Sequence, residues 1–98
     1  MTFHVEKGEE MTTVKPEGRL DTLTSRELEG PLLEACDQTG KVILDLSEVP
    51  YISSAGLRLV IQAYKKMKDK QGLQLTNACE QVREVFEMTG YDHVVKMV

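Results

Sequence analysis

Two adjacent serines, Ser53 and Ser54, sit in the stretch DLSEVPYISSAGLRLV, which runs from Asp45 to Val60. An apolar, strand-like run precedes them and a helix-like run follows. The first backbone N–H groups of a helix lack acceptors within the helix, and the helix dipole adds partial positive charge there. A hydroxyl at such a joint can cap the helix or carry an anion such as a phosphate. Serine is among the favoured N-cap residues, so the capping role is open to both. The loop lacks the glycines and lysine of a P-loop, which argues against nucleotide hydrolysis. No Ser/His/Asp or Cys/His set appears along the chain. His4 and His93 have no ligand-spaced companions, and Asp45, facing the joint, has no second carboxylate for acid–base work. Asp45 reads instead as an acceptor that ties down the loop. The chain reads as not an enzyme, with no cofactor or metal of its own.

The elements that must position these serines can be followed along the chain. Phe3 and Val5 alternate with His4 and Glu6, the pattern of a half-buried strand. KGEE reads as a tight turn and MTTVKPEGRL as the hairpin partner, with Pro16 marking an edge or a bulge. Leu28, Leu32, Ala35 and Cys36 then fall on one helical face, with Thr24 and Glu27 as a capping box and Gly30-Pro31 as a break or irregular first turn. KVILDL is apolar and β-branched, a central strand buried on both faces. Leu57, Val60, Ile61, Tyr64 and Met67 keep helical spacing. LQLTN is a strand, ACEQVREVFEMTG a helix with Val82, Val85 and Phe86 inward, and HVVKMV a last strand. Met67, Met88 and Met97 read as core filler. The expectation is an α/β fold of order ββαβαβαβ, with a mixed central sheet flanked by helices, forming a single domain over residues 1–98.

The totals narrow the function. The chain has 98 residues, 41% hydrophobic and 29% charged, with a net charge of −4. One modest core is feasible at this size. No basic block exceeds Lys65-Lys66, so nucleic acid is not an expected partner. Cys36 and Cys79 are far apart and form no CxxC; they read as reduced core residues. MTFHVEKGEE has no apolar signal region, and no run approaches the roughly 20 apolar residues of a membrane span. The expectation is a cytoplasmic protein without membrane insertion.

ILDLSEVPYISSAGLRLV resembles the signature of the STAS domain family, specifically the bacterial anti-sigma factor antagonists. GRLDT, Gly18 to Thr22, is similar to that family's element before the first helix, and VFEMTGYDHVVKM to its C-terminal segment. The resemblance implies a single STAS domain that binds an anti-sigma serine kinase and thereby frees a sigma factor. It implies that the kinase phosphorylates a serine at the start of the helix after the central strand, and that a serine phosphatase of the metal-dependent type reverses this. Carried over by position, the phosphoacceptor is Ser54 and the conserved loop acid is Asp21. The implied partner-binding residues are Asp21, Thr22, Tyr51, Ile52, Ser53, Ser54, Ala55, Gly56 and Arg58. In this reading Ala55 and Gly56 let another backbone come close.

The sequence departs from the family pattern at Ser53, where the family has Asp directly before the acceptor. Three alternatives follow: Ser54 is still the acceptor, Ser53 takes its place, or the domain is not switched by phosphate. Arg58 stands where a small residue is frequent, and its charge could meet a phosphate or an acidic partner residue. The rival function is a STAS subunit that regulates or scaffolds a membrane or lipid transporter without phospho-switching.

Overall fold

The computed structural model describes all residues from Met1 to Val98. Strand alternation shows where the core lies. In β2 (Met11–Glu17), β3 (Lys41–Asp45) and β4 (Gly72–Thr76), Thr12, Val14, Val42, Leu44, Leu73 and Leu75 are buried. Successive side chains point to opposite faces of a sheet, so one face carries the core. The opposite face, with Thr13, Lys15, Ile43, Asp45 and Gln74, is only half covered. The expectation that β3 is buried on both faces is therefore corrected. A five-residue apolar strand can arise at the centre of a two-layer fold, where Lys41, Ile43 and Asp45 on the outer side are only half-buried.

The sheet order is β1-β2-β3-β4-β5, with β1 (Thr2–Lys7) antiparallel to β2 and all other pairs parallel, ending in the short β5 (Lys96–Met97). Helices α1 (Thr22–Gln38), α2 (Ser54–Met67) and α3 (Glu80–Thr89) connect the parallel strands, and a 3-10 turn, Tyr91–His93, leads into β5. The expected order ββαβαβαβ is the one found. No helix is long and apolar enough to cross a membrane. In β1 only Phe3 reaches the core; Val5 is 37% exposed. Pro16 lies in an internal strand, not at an edge. It is tolerated because β2 pairs with β3 only over Met11–Val14, so its missing N–H falls beyond that ladder.

The expected helical faces hold. Leu28, Leu32, Ala35 and Cys36 of α1, and Val82 and Phe86 of α3, join one core cluster with Leu57, Val60 and Met67 of α2. Met88 does not; it is 80% exposed, since it lies two residues past Phe86 and off the core face of α3. Cys36 is buried and free, its thiol pushed up to about 11 by burial. Cys79 is also free but only half-buried, at the N-cap of α3. Helix α1 runs through Gly30-Pro31 without a break. Proline removes one donor and crowds the carbonyl four residues back, here that of exposed Glu27. The fully buried Leu28 and Leu32 anchor the helix on both sides of it.

The capping box of α1 is Asp21 with Thr24, not Thr24 with Glu27. The Asp21 carboxylate accepts from the Thr24 N–H at 3.0 Å, and the Thr24 hydroxyl accepts from the Asp21 N–H at 2.9 Å. The bond from the Thr24 backbone, followed by that from its side chain, holds the Asp21 carboxyl below the usual carboxylate range.

Two loops then run side by side. Gly18 N–H donates to Glu48 O, Leu20 N–H to Tyr51 O and Ser53 N–H to Leu20 O, each at 2.9 Å. The β2–α1 loop and the β3–α2 loop are thus zipped together, and the N-termini of α1 and α2 lie next to each other. Gly56 makes this approach possible: a Cβ there would stand 2.8 Å from the Leu20 carbonyl oxygen and 2.8 Å from Ile52 Cγ1.

Two outcomes are expected. Gly56→Ala should destabilise the domain by about 1–3 kcal/mol, the usual cost of overpacking, read as a lower urea midpoint at unchanged slope. Asp21 should steepen acid unfolding. Its folded-state pKa is depressed, so its contribution is complete above the unfolded value of 3.8 and is lost as pH falls through the lower folded value. Asp21→Asn keeps a good cap but cannot titrate, so its stability should fall less than that of the wild type between about pH 5 and pH 2.5 in pH-resolved denaturation.

Candidate functional site

The zipped loops decide which of the two serines is available. Ser53 has extended backbone, φ −89° and ψ 174°, and its hydroxyl accepts from the Gly56 N–H at 3.2 Å. It is the N-cap of α2. Ser54 is the first helical residue and is exposed. Its own N–H and that of Ala55 have no acceptor in the chain. The first turn of α2 contains no acidic residue. The open choice between cap and functional hydroxyl is thereby divided: Ser53 caps, and Ser54 presents a free hydroxyl beside two unpaired N–H donors.

Asp45, at the end of β3, braces the loop from below. Its carboxylate accepts from the Ser47 N–H at 3.0 Å and from the Asn77 amide at 3.2 Å. Partial burial opposes its charge, but these hydrogen bonds outweigh burial and keep its pKa below the usual value. This is the loop-tying role expected for it. Cys79 closes the loop from the other side, with its thiol 3.6 Å from the Val49 carbonyl oxygen.

The expected partner-binding residues separate into surface and support. Thr22, Tyr51, Ser54 and Arg58 are exposed, and Asp21, Ser53 and Ala55 are half-buried. Ile52 is 3% exposed and Gly56 is buried. Neither can meet a partner. The backbone that Gly56 admits is the chain's own, at Leu20, not a partner's. Asp21 is held by its capping bonds, so its exposed edge lies at the start of α1, beside the Ser53 loop.

Two grooves flank Ser54. One, of about 320 Å³, runs between α1 and α2 and includes Thr22, Ser25, Arg26, Glu29, Ala55 and Arg58. The other, of about 430 Å³ and more apolar, includes Ser54, Leu57, Arg58, Ile61, Lys65 and Tyr91. Arg58 and Gln62 belong to both and form the ridge between them, with Arg58 its only charged member. The groove that holds Ser54 contains no carboxylate or imidazole able to take its proton. The hydroxyl therefore has no neighbouring base in its groove that could activate it as a nucleophile.

Sequence reasoning missed several members of this surface. Arg19 lies inside the GRLDT motif and stacks its guanidinium over the Tyr51 ring at 4.2 Å. Its position beside Asp21 was a usable signal. Arg26 follows Thr22 at helical spacing and could have been found the same way. Tyr91 reaches the second groove from the far end of the chain, and no local pattern signals that.

The sequence model of the STAS domain matches residues 2–98. BtrV of Bordetella bronchiseptica, assigned as an anti-sigma factor antagonist, is 36% identical over 93 residues, covering 93% of this chain and 80% of that protein. A crystal structure of an anti-sigma factor antagonist from Mycobacterium paratuberculosis superposes with a TM-score of 0.89 at 25% identity, covering 98% of this chain and 83% of the other. The Bacillus cell fate determinant SpoIIAA has the same fold. Its unphosphorylated form gives a TM-score of 0.83 at 20% identity, covering 99% and 88% of the two chains, and its phosphorylated form 0.76 at 19%, covering 99% and 91%. A match over nearly the whole chain, joined to a relative of this identity and to the same strand order, means that this chain belongs to the STAS domain family.

Proposed function

We propose that this protein is an anti-sigma factor antagonist that binds an anti-sigma serine kinase, releases the sigma factor in doing so, and is switched off by phosphorylation of Ser54. The observation that carries this reading is the division of labour at the start of α2. Ser53 is committed to the Gly56 N–H, whereas Ser54 is exposed and unneeded by the fold. The names of the relatives support the partner class. SpoIIAA, known in phosphorylated and unphosphorylated forms, supports the switch.

The same geometry favours Ser54 over Ser53 as acceptor. Asp and Ser are comparable N-caps, so a serine in place of the family's Asp keeps the cap. Phosphorylating Ser53 would cost that bond; phosphorylating Ser54 costs none. The γ-phosphoryl group of the kinase's ATP passes to Ser54 Oγ, the hydroxyl proton leaves, and ADP departs. ATP and Mg²⁺ belong to the kinase. A serine phosphatase of the metal-dependent type restores the hydroxyl by hydrolysis.

The phosphate brings about −1.5 to −2 charges. At a helix N-terminus the fold accepts this, helped by roughly 0.3–1 kcal/mol of dipole interaction. An interface closed over a neutral hydroxyl does not. A loss of about 2.8 kcal/mol there corresponds to a hundredfold weaker complex.

The test is affinity capture from source cells with wild type, Ser54→Ala and Ser54→Asp, followed by mass spectrometry and titration of the captured kinase. Wild type and Ser54→Ala should retain a serine kinase, and Ser54→Asp should bind it about a hundredfold more weakly at unchanged thermal stability. A transporter ATPase or permease retained equally by all three would replace this reading with the docking-subunit function and leave Ser54 without a switching role.

A further inference from the structure

We propose that Arg58 receives the phosphate of Ser54, so that phosphorylation both adds negative charge and withdraws from the partner the cation shared by the two grooves. This rests on the assignment of Ser54 as acceptor. Residues four apart on a helix lie one above the other on the same face, and Ser54 and Arg58 are both exposed in α2. The separation along the axis is about 6 Å, within reach of an arginine side chain. Arg58 makes no ion pair elsewhere in the chain. The planar fork of a guanidinium fits phosphate oxygens in a bidentate manner. The unpaired N–H groups of Ser54 and Ala55 supply the remaining donors.

The neighbouring charges do not compete for this role. Arg26 and Glu29 face Arg58 across the α1 groove, in the groove that Ser54 does not line. Lys65 shares the second groove but stands about 16 Å from Ser54 along the helix. Asp21 is engaged by Thr24. With its hydroxyl free, Ser54 leaves Arg58 available on the ridge, where it fits an acidic side chain of the kinase. With phosphate attached, the same guanidinium is turned back on its own helix. One covalent change thus alters two features that the partner reads.

The experiment installs phosphoserine at position 54 during translation and follows the second phosphate ionisation by 31P NMR titration. In the otherwise wild-type chain the midpoint should lie below the ordinary value of about 6. Arg58→Gln should raise it by about half a pH unit, Arg58→Lys should raise it less, and Arg26→Gln and Lys65→Gln should leave it unchanged. An Arg58→Gln midpoint equal to that of the parent would overturn the assignment, as would an equal response to Arg26→Gln. Because the phosphate is installed without a kinase, failure here removes only the Arg58 contact. A phosphorylated chain that still held the kinase tightly would remove the switch instead.

Discussion

The contact on which the site depends is the approach of the α2 N-terminus to the backbone of Leu20. It requires a residue without a side chain at Gly56, where a methyl group would collide with the Leu20 carbonyl. It is held by three backbone hydrogen bonds between loops that belong to different strand–helix units. Once these loops are joined, the start of α1 and the start of α2 share one surface. Asp21 and Ser53 then do the same work on neighbouring helices, each accepting from an N–H three residues ahead. What remains exposed is what capping does not use: Thr22 at one helix, Ser54 at the other, and the arginines around them.

Much of this could be read from the residues. The order of elements, the inward face of α1 and the loop-tying role of Asp45 follow from spacing and from the chemistry of a carboxylate at a strand end. Other features escaped because the chain pattern is degenerate. Asp21/Thr24 and Thr24/Glu27 both satisfy a cap motif, and only the backbone position of the first turn distinguishes them. KVILDL shows no alternation, so a strand covered on one side looks like one covered on both. Gly56 next to a loop invites a reading as a contact with a partner; its real neighbour is Leu20, far back along the chain in another loop. Tyr91 is further still from Ser54 in sequence. Such non-local approaches leave no periodic trace.

The resemblance that identified the family also directed attention to nine residues as one contact surface. Geometry divides them. Ile52 and Gly56 shape the surface without belonging to it, and this explains how a motif can be specific although part of it never meets a partner. The central motif therefore holds two kinds of position: those that pack a helix against a loop, and one whose hydroxyl the fold leaves free.

The direction of the strands has a practical consequence. Strands β2 to β5 are parallel, and β1 runs antiparallel to β2 with Thr2 paired to Glu17. The first and last residues therefore lie on the rim from which α1 and α2 start, with the Met1 amine bonded to Glu27 and the Val98 N–H bonded to Leu75 O. A fluorescent or affinity label fused to either end emerges on the crowded side of the molecule. The hairpin turn around Gly8 to Glu10 lies at the opposite rim, and an inserted reporter there would stand clear of the surface around Ser54.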